Sequence, residues 1–330
     1  MKMGEKKRVL SGMRPTGRLH IGNLEGALRN WIWLENEEIY DCFFFVADYH
    51  ALTTEHDKVY EIRENTREML IDWIAAGLDP NKSMIYLQSD VPDVALLHLY
   101  FSMITTVGQL ERNPTYKEII RETKMKTPTY GFLGYPVLQA ADILIVRGKY
   151  IPVGKDQLPH IELTKGIAKR FNRAYGKTFD IPEALLTKSQ SVPGIDGKKM
   201  SKSYGNHILI SDTDEIIKSK VMSAYTDSEK IKATDKGHPD GCVVFAYHKL
   251  YNQNEIIGIQ EDCKMGRMGC VACKHNLTNK MLPLFTPIRE KRRKVESNPD
   301  FIDEMLRENS KKVRKITKEV IEDVTKKVGI

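Results

Sequence analysis

Cys42-Phe43-Phe44-Phe45-Val46-Ala47 is the segment that most narrows what this chain can fold into. Apolar residues in an unbroken row leave no polar face, so a strand built from them must be covered on both sides. A strand of a parallel sheet sandwiched between helices has that character, whereas a half-exposed hairpin strand alternates. The flanking segments fit the sandwich. Arg8-Val9-Leu10-Ser11 reads as another buried strand. Residues 23–34 carry a helical period, with Leu24, Leu28, Trp31 and Ile32 on one face. Residues 61–77 read as an amphipathic helix ending near Gly77 and punctuated by Asp79-Pro80, and residues 84–88 as a third strand. This β-α-β-α order predicts an α/β fold with a doubly wound parallel sheet.

Residues 93–130 are mostly helical and interrupt the alternation, as an insertion between two halves of a sheet would. Residues 142–146 are expected to resume it as a strand, followed by the Pro152-Val153-Gly154 turn and a helix over 162–171. Beyond residue 206 the strand signal fades. Residues 302–328 form a long amphipathic pattern, with Leu306, Val313, Ile316, Val320 and Val324 on one stripe, expected to pack within a helical domain. The resulting division is an α/β domain over 1–205, with a flexible lysine loop over 195–203, and a helical domain over 206–330.

At 330 residues the chain can bury a sizeable core and hold two domains. Its 41% hydrophobic and 29% charged content is that of a water-soluble globular protein. No apolar run is long enough for a bilayer span, and no signal-type apolar region follows the basic residues 1–8. A cytoplasmic location and no membrane partner are therefore expected. The formal net charge of +7 suits a polyanionic partner without demanding one. Residues 281–330 carry 13 Lys+Arg against 9 Asp+Glu, and Arg289-Glu290-Lys291-Arg292-Arg293-Lys294 is the densest run. By itself that run reads as a solvated helix face.

Two polar segments stand apart from the framework. The first is Pro15-Thr16-Gly17-Arg18-Leu19-His20-Ile21-Gly22-Asn23, directly before a helix; the second is Gly197-Lys198-Lys199-Met200-Ser201-Lys202-Ser203. In the first, a small residue lets backbone approach a ligand, and the helix N-terminus favours an anion. His20 can donate a hydrogen bond as charge builds on a phosphate. Alone, the segment is equally a capping loop that contains a histidine. In the second, Lys199 and Lys202 lie in a loop bounded by Gly194, Gly197 and Gly205. Two such lysines can close over the β- and γ-phosphates of a nucleotide, with Ser201 and Ser203 as added donors. Alone, it is a basic solvated turn. Together and in this order, the segments resemble the two ATP-handling signatures of class I aminoacyl-tRNA synthetases. That resemblance implies attack of a carboxylate on the α-phosphate of ATP.

Further segments extend the resemblance over nearly the whole chain: Ser11-Gly12-Met13-Arg14-Pro15-Thr16-Gly17, Ala47-Asp48-Tyr49-His50-Ala51, Tyr135-Pro136-Val137-Leu138-Gln139-Ala140-Ala141-Asp142, and Pro152-Val153-Gly154-Lys155-Asp156-Gln157. With both signatures they resemble bacterial tryptophanyl-tRNA synthetases. The resemblance implies a Rossmann-like catalytic domain with a helical insertion, followed by a helical anticodon-binding domain. It implies ATP with Mg2+, L-tryptophan and tRNA(Trp) as partners. It also implies a homodimer built on the insertion, where Leu96-Leu97 and Leu99-Tyr100-Phe101 are apolar. Catalytic roles would fall to His20, Asn23, Lys199 and Lys202. ATP contacts would come from those residues and from Arg14, Pro15, Thr16 and Gly22, from Gly154, Lys155 and Asp156, from Val192, and from Met200, Ser201 and Ser203. Two positions depart from the family pattern. Lys155 stands where Glu is common, and Asn23 where the strict signature has His.

Tyrosyl-tRNA synthetases share the catalytic fold, and archaeal ones carry a pair similar to Gln139 and Asp142. Those relatives tend to have Tyr at the position of Leu10, where it bonds the substrate phenol. Leu10 can only pack on a ring. An indole N–H is a donor only, so a tryptophan pocket needs one fixed acceptor and otherwise apolar walls. Asp142 is the expected acceptor. Leu10, Ile151, Val153 and the ring of Tyr135 are expected walls, and His50, Gln139 and Gln157 contacts to the substrate's polar end or the pocket floor.

Of the five cysteines, Cys42 lies in a predicted strand and reads as a small buried hydrophobe. Cys242, Cys263, Cys270 and Cys273 are separated by 20, 6 and 2 residues. Such local clustering suits a metal site better than a disulfide framework. Thiolates in a set of four suit tetrahedral zinc or a four-iron four-sulfur cluster (4Fe-4S), and unliganded thiols are a third reading. The resemblance favours the iron–sulfur-bearing branch of the family. Lys264, Arg267, Lys274 and His275 lie near these cysteines in sequence, where they could meet RNA phosphates or simply be surface charge. Besides the tyrosyl enzyme, the residues admit a simple nucleotidyltransferase or a non-catalytic RNA-binding relative. Neither needs His20, Lys199 and Lys202 together with a helical second domain.

Overall fold

The computed structural model describes residues 6–123, 125–186 and 192–330. Of the basic segment 1–8 the first five residues lie outside the described ones, as does residue 124 of the insertion. Five strands form one sheet in the order β3-β2-β1-β4-β5, with every neighbouring pair parallel. They are β1 (Lys7–Met13), β2 (Tyr40–Val46), β3 (Met84–Leu87), β4 (Tyr150–Val153) and β5 (Glu183–Leu186). Successive side chains of a strand point to opposite faces. Val9, Cys42, Phe44 and Val46 accordingly enter one apolar core, and Leu10, Phe43 and Phe45 the other. The unbroken apolar run at 42–47 is thus explained by cores on both sides of the sheet.

α1 (Ile21–Asn23), a π-helical turn over Leu24–Leu28 and α2 (Arg29–Asn36) form one continuous run after β1. α3 (Asp48–Glu55) and α4 (Val59–Ala76) connect β2 to β3. Between β3 and β4 lie α5 (Asp93–Met103), α6 (Val107–Glu111), α7 (Pro114–Thr123) and α8 (Tyr130–Ile145); α9 (Leu158–Tyr175) leads to β5. The rest is helical: α10 (Asp214–Ser223), α11 (Val243–Tyr251), α12 (Ile256–Lys264), α13 (Cys270–Glu296) and α14 (Asp300–Val328).

Two expectations are corrected. Residues 142–146 are no strand: most of them form the end of α8, and β4 begins only at Tyr150. Ala140 through Val146 are all buried, and a helix buried all round shows no period by which to tell it from a buried strand. The long C-terminal helix, α14, does not pack within a helical domain. It lies against β3 and α5, and Val313, Val320, Ile321 and Val324 join the core that contains Leu10 and Phe43. α13 packs on α4 and α10, so the other core runs without a break from Val9 and Trp31 to Leu277 and Phe285. Among the described residues, no helix is long and apolar enough to cross a membrane.

Candidate active site

A cavity of about 390 Å³ opens beside β1 and β4. In an open α/β sheet the crevice outside the strand carboxyl ends, where the strand order reverses, is where ligands bind. Leu10, His50, Tyr135, Gln139, Asp142, Ile151, Val153 and Gln157 all line this cavity. Asp142, on α8, is 3% exposed. Its carboxylate accepts hydrogen bonds from Gln88 Nε2 at 2.8 and 3.0 Å and from His50 Nε2 at 2.9 Å. The His50 amide donates to Gln88 Oε1 at 3.3 Å, which turns the Gln88 NH2 group toward Asp142. Burial raises the Asp142 carboxyl above its ordinary range, while the contacts from His50 and Gln88 pull it back. A carboxylate has about four lone-pair sites. With two donor groups placed, it retains capacity for another.

Tyr135 Oη lies 3.3 Å from His160 Nε2, and His160 Nδ1 lies 3.2 Å from Asn113 Nδ2. The amide can only donate to that ring nitrogen, so His160 carries its proton on Nε2 and donates to Tyr135. The phenol proton stays free for a ligand. Gln88, His160 and Asn113 are absent from the sequence-based site. Gln88 follows directly on β3, and a polar side chain at a parallel strand's carboxyl end was the available signal. Nothing in the sequence marks Asn113 or His160.

The residues of the first signature gather beside the first helix. His20 is the N-cap of α1. Its Nδ1 accepts from the Asn23 amide at 3.2 Å, and its own amide donates to Asn23 Oδ1 at 3.1 Å. This reciprocal cap explains Asn23: its side chain supplies the acceptor for the His20 amide, while its main-chain amide fixes the ring. With Nδ1 accepting, the neutral imidazole carries its proton on Nε2. Burial, then the charge of Lys202 and the presence of His207, bring His20 down to about 4, so it is neutral near pH 7. A Cβ on Gly22 would lie 2.9 Å from the His20 ring and 3.6 Å from Met200 Sδ, which is why the position is glycine.

The second signature meets the first here. Lys202 Nζ donates to the Arg18 carbonyl at 2.8 Å, and burial lowers its ammonium to about 8. Residues 208–210 pair with the same segment, Ile21 donating to the Ile208 carbonyl and Ile210 to the Leu19 carbonyl. Ser201 caps the short turn Lys202–Tyr204 through a bond from the Ser203 amide at 3.3 Å. Lys199 and Ser203 are exposed, and Asn206 Nδ2 holds the Lys199 carbonyl at 3.0 Å. Val192 and Met200 have core side chains, each 6% exposed. Arg14 and Gly154 line the cavity, and Arg14 Nη2 is tied to Thr54 Oγ1 at 2.5 Å. Pro15 is buried and Thr16 exposed just past β1. Lys155 and Asp156 are exposed in a turn over Lys155–Gln157, with Asp156 bonded to Gln157.

Residues 1–286 match the family described as class I tRNA synthetases (W and Y). A tryptophan–tRNA ligase of Aquifex aeolicus is 43% identical over 98% of this chain and 100% of that protein. One from Thermotoga maritima is 45% identical over 98% and 99%. The chain belongs to the tryptophanyl-tRNA synthetases. In the crystal structure of a Campylobacter jejuni tryptophanyl-tRNA synthetase complexed with ADP and tryptophan, the fold agrees with TM-score 0.86 at 34% identity, covering 98% of this chain and 100% of that one. Membership of this synthetase family sets aside the tyrosyl, nucleotidyltransferase and non-catalytic readings.

The synthetase's four clustered cysteines also come together. Cys242, Cys263, Cys270 and Cys273 line one cavity of about 30 Å³, and none forms a disulfide. Burial raises the thiols of Cys242 and Cys263, and that of Cys273 to about 12. A Cβ on Gly237 would fall 2.6 Å from Cys263 Sγ, so only glycine admits that thiol. His248 Nε2 lies 3.4 Å from Cys273 Sγ. Among the described residues, no group of three or more His, Cys, Asp or Glu side chains is gathered closely enough for a metal ion. Of the basic residues nearby, Arg267 is bonded to Asp262 and Lys274 to the Met222 carbonyl, while Lys264 and His275 are exposed.

Proposed function

We propose that this tryptophan–tRNA ligase divides its first half-reaction between the cavity and the two signatures. The tryptophan side chain enters the cavity and its indole N–H donates to Asp142. Leu10, Ile151, Val153 and the Tyr135 ring pack on its faces, while Gln139 and Gln157 serve its polar end. The substrate carboxylate attacks the α-phosphorus, the bond to the β-phosphate breaks, and pyrophosphate leaves with the released charge. His20 Nε2–H donates to a phosphate oxygen. Lys202 exchanges the Arg18 carbonyl for the leaving phosphates, joined by Lys199, Ser201 and Ser203. Asn23 keeps His20 in place, and Arg14, Pro15, Thr16, Gly22, Gly154, Lys155, Asp156 and the main chains of Val192 and Met200 surround the nucleotide. The observation that carries this reading is the buried Asp142, with capacity left for one donor in a cavity lined by all eight expected residues. Mg2+ belongs on the nucleotide's own phosphates, as hard cations bound through substrate commonly are. A ribose hydroxyl of tRNA(Trp) then attacks the acyl carbon and AMP leaves. Amino-acid-dependent exchange of pyrophosphate into ATP tests the assignment. Tryptophan should drive it without tRNA and tyrosine should not.

We further propose that the four cysteines hold a 4Fe-4S cluster. A single zinc would need four sulfurs about 2.3 Å from one point. Here the four thiols line one cavity and none is tied up in a disulfide, which leaves four cysteine ligands available to a cluster. Its chemistry there would be structural, fixing α11, α12 and α13 for tRNA. Protein purified without oxygen should be brown, with iron and sulfide near four each per chain. Colourless protein with one zinc would overturn this. Cys270→Ser should lower tRNA charging more than exchange. A cytoplasmic location belongs to the same reading and rests on the family. So does a homodimer across the insertion, where Leu96, Leu99, Met103 and Val107 are 40%, 48%, 71% and 57% exposed. Light scattering at micromolar concentration should give twice the chain mass.

A further inference from the structure

Where α4, α13 and the first signature meet, a buried ion cluster remains that neither the cavity nor the phosphate side uses. Asp72, on α4, is fully buried, and Arg292, on α13, is 4% exposed. Asp72 Oδ1 accepts from Arg292 Nη1 at 2.5 Å, while Asp72 Oδ2 accepts from the Leu19 amide at 2.6 Å. Arg292 Nη2 reaches Glu68 Oε2 at 2.6 Å and Glu296 Oε1 at 2.9 Å. The same Glu68 oxygen accepts from Arg18 Nε at 2.6 Å, and the Arg18 carbonyl holds Lys202 at 2.8 Å. The guanidinium therefore grips α4 twice, and α4 in turn grips two successive residues of the signature, one by its side chain and one by its amide.

An ion pair this buried is a poor way merely to join two helices. Apolar packing serves as well, and the desolvation of both charges must be offset. Its geometric content is different. Leu19 immediately precedes His20, whose ring has one orientation because Asn23 fixes it. Asp72 fixes the amide before that ring, and Arg292 fixes Asp72. A shift of about 1 Å at a catalytic group can cost a hundredfold in rate. α13 spans 27 residues, about 40 Å of helix at 1.5 Å per residue, with Cys270 and Cys273 at one end and Arg292 near the other. The cluster thus links the helical region to the signature.

We propose that Arg292 is a positioning residue for amino-acid activation, acting through Asp72 to set the Leu19 amide and with it His20 and Lys202. The inference rests on the reading of those two residues as ATP-handling groups. Arg292→Met and Arg292→Lys test it in the full-length protein, by pyrophosphate exchange, by equilibrium binding of tryptophan, and by thermal melting. Arg292→Met should lower kcat for exchange about ten- to a hundredfold at temperatures well below its melting point. Its tryptophan affinity should stay within about twofold of the parent, because the cavity lies away from the cluster. Arg292→Lys keeps the charge but loses the two-armed fork, so it should recover only part of the rate. Should Arg292→Met not fold, a several-fold loss of kcat in Arg292→Lys with unchanged tryptophan affinity carries the test alone. A lower melting temperature with parental kcat in both variants would make the cluster structural only and overturn the inference. Lys202→Ala in the same assay separates the layers. Normal exchange there would overturn the ATP reading and this inference with it. Slow exchange there, with parental exchange in both Arg292 variants, overturns the inference alone.

Discussion

Asp142 is buried and Lys202 half-buried, and the two are held in opposite ways. The Asp142 carboxylate is clamped by Gln88 and His50 on elements of the sheet layer, and Gln88 is itself oriented by the His50 amide. None of these contacts needs to break for a further donor to arrive. The Lys202 ammonium donates to the main-chain carbonyl of Arg18, a contact that the proposed mechanism has it exchange for a leaving phosphate. In the proposed mechanism one region is finished before substrate binds and the other exchanges partners during the reaction. Groups of the first kind set which substrate is taken, and groups of the second kind act where charge develops.

Lys202→Ala should give the largest effect. Loss of a group stabilising developing charge costs about 10²–10³ in rate. Exchange should fall by that order while tryptophan binding is unchanged. If the variant turned over normally at saturating ATP, Lys202 would be only a binding group. Asp142→Ala should come next, removing a buried acceptor worth about 1–3 kcal/mol. The tryptophan requirement should rise roughly ten- to a hundredfold. An equal rise in the ATP requirement would blur the contrast between the regions. Gln88→Met should act in the same direction but less, since Asp142 keeps His50; a net hydrogen bond is worth about 1 kcal/mol, a few-fold in affinity. No change in the tryptophan requirement would remove Gln88 from the account.

The mildest prediction concerns pH. Burial lowers Lys202 to about 8, and only the protonated form attracts phosphate. In the free enzyme that form is lost as pH rises through about 8, so kcat/KM for ATP should decline there. Bound phosphates favour the charged form, so kcat should hold to higher pH. His20, neutral down to about 4, should contribute no acid limb between pH 5 and 7. A flat kcat/KM for ATP through pH 9 would place the ammonium in an environment unlike the one described.

The same contrast governs how much could be read from sequence. The apolar run at 42–47 disclosed a two-sided parallel sheet, because burial on both faces leaves a local trace. The eight cavity residues were legible through short motifs around Leu10, Gln139 and Gln157. The clamp on Asp142 was not, because Gln88 reaches it across 54 positions of sequence and nothing local marks the pairing. His160 and Asn113 stayed hidden for the same reason. Residues 142–146 misled because an evenly buried helix has no period. The C-terminal helix showed its apolar stripe through Val313 and Val320, but a stripe does not say which surface it meets, and α14 returned to the sheet. The ion cluster at Asp72 depends on a partner 220 residues away.

The division between a finished pocket and an exchanging loop is tested most directly by a double-mutant cycle on pyrophosphate exchange, comparing Asp142→Ala, Lys202→Ala and the pair. Independent sites add within about 0.3–0.5 kcal/mol. The account predicts that the logarithms of kcat/KM for tryptophan add within that margin. A coupling well above it, on the order of 1 kcal/mol or more, would mean that the pocket and the lysine act as one unit, and would contradict the division.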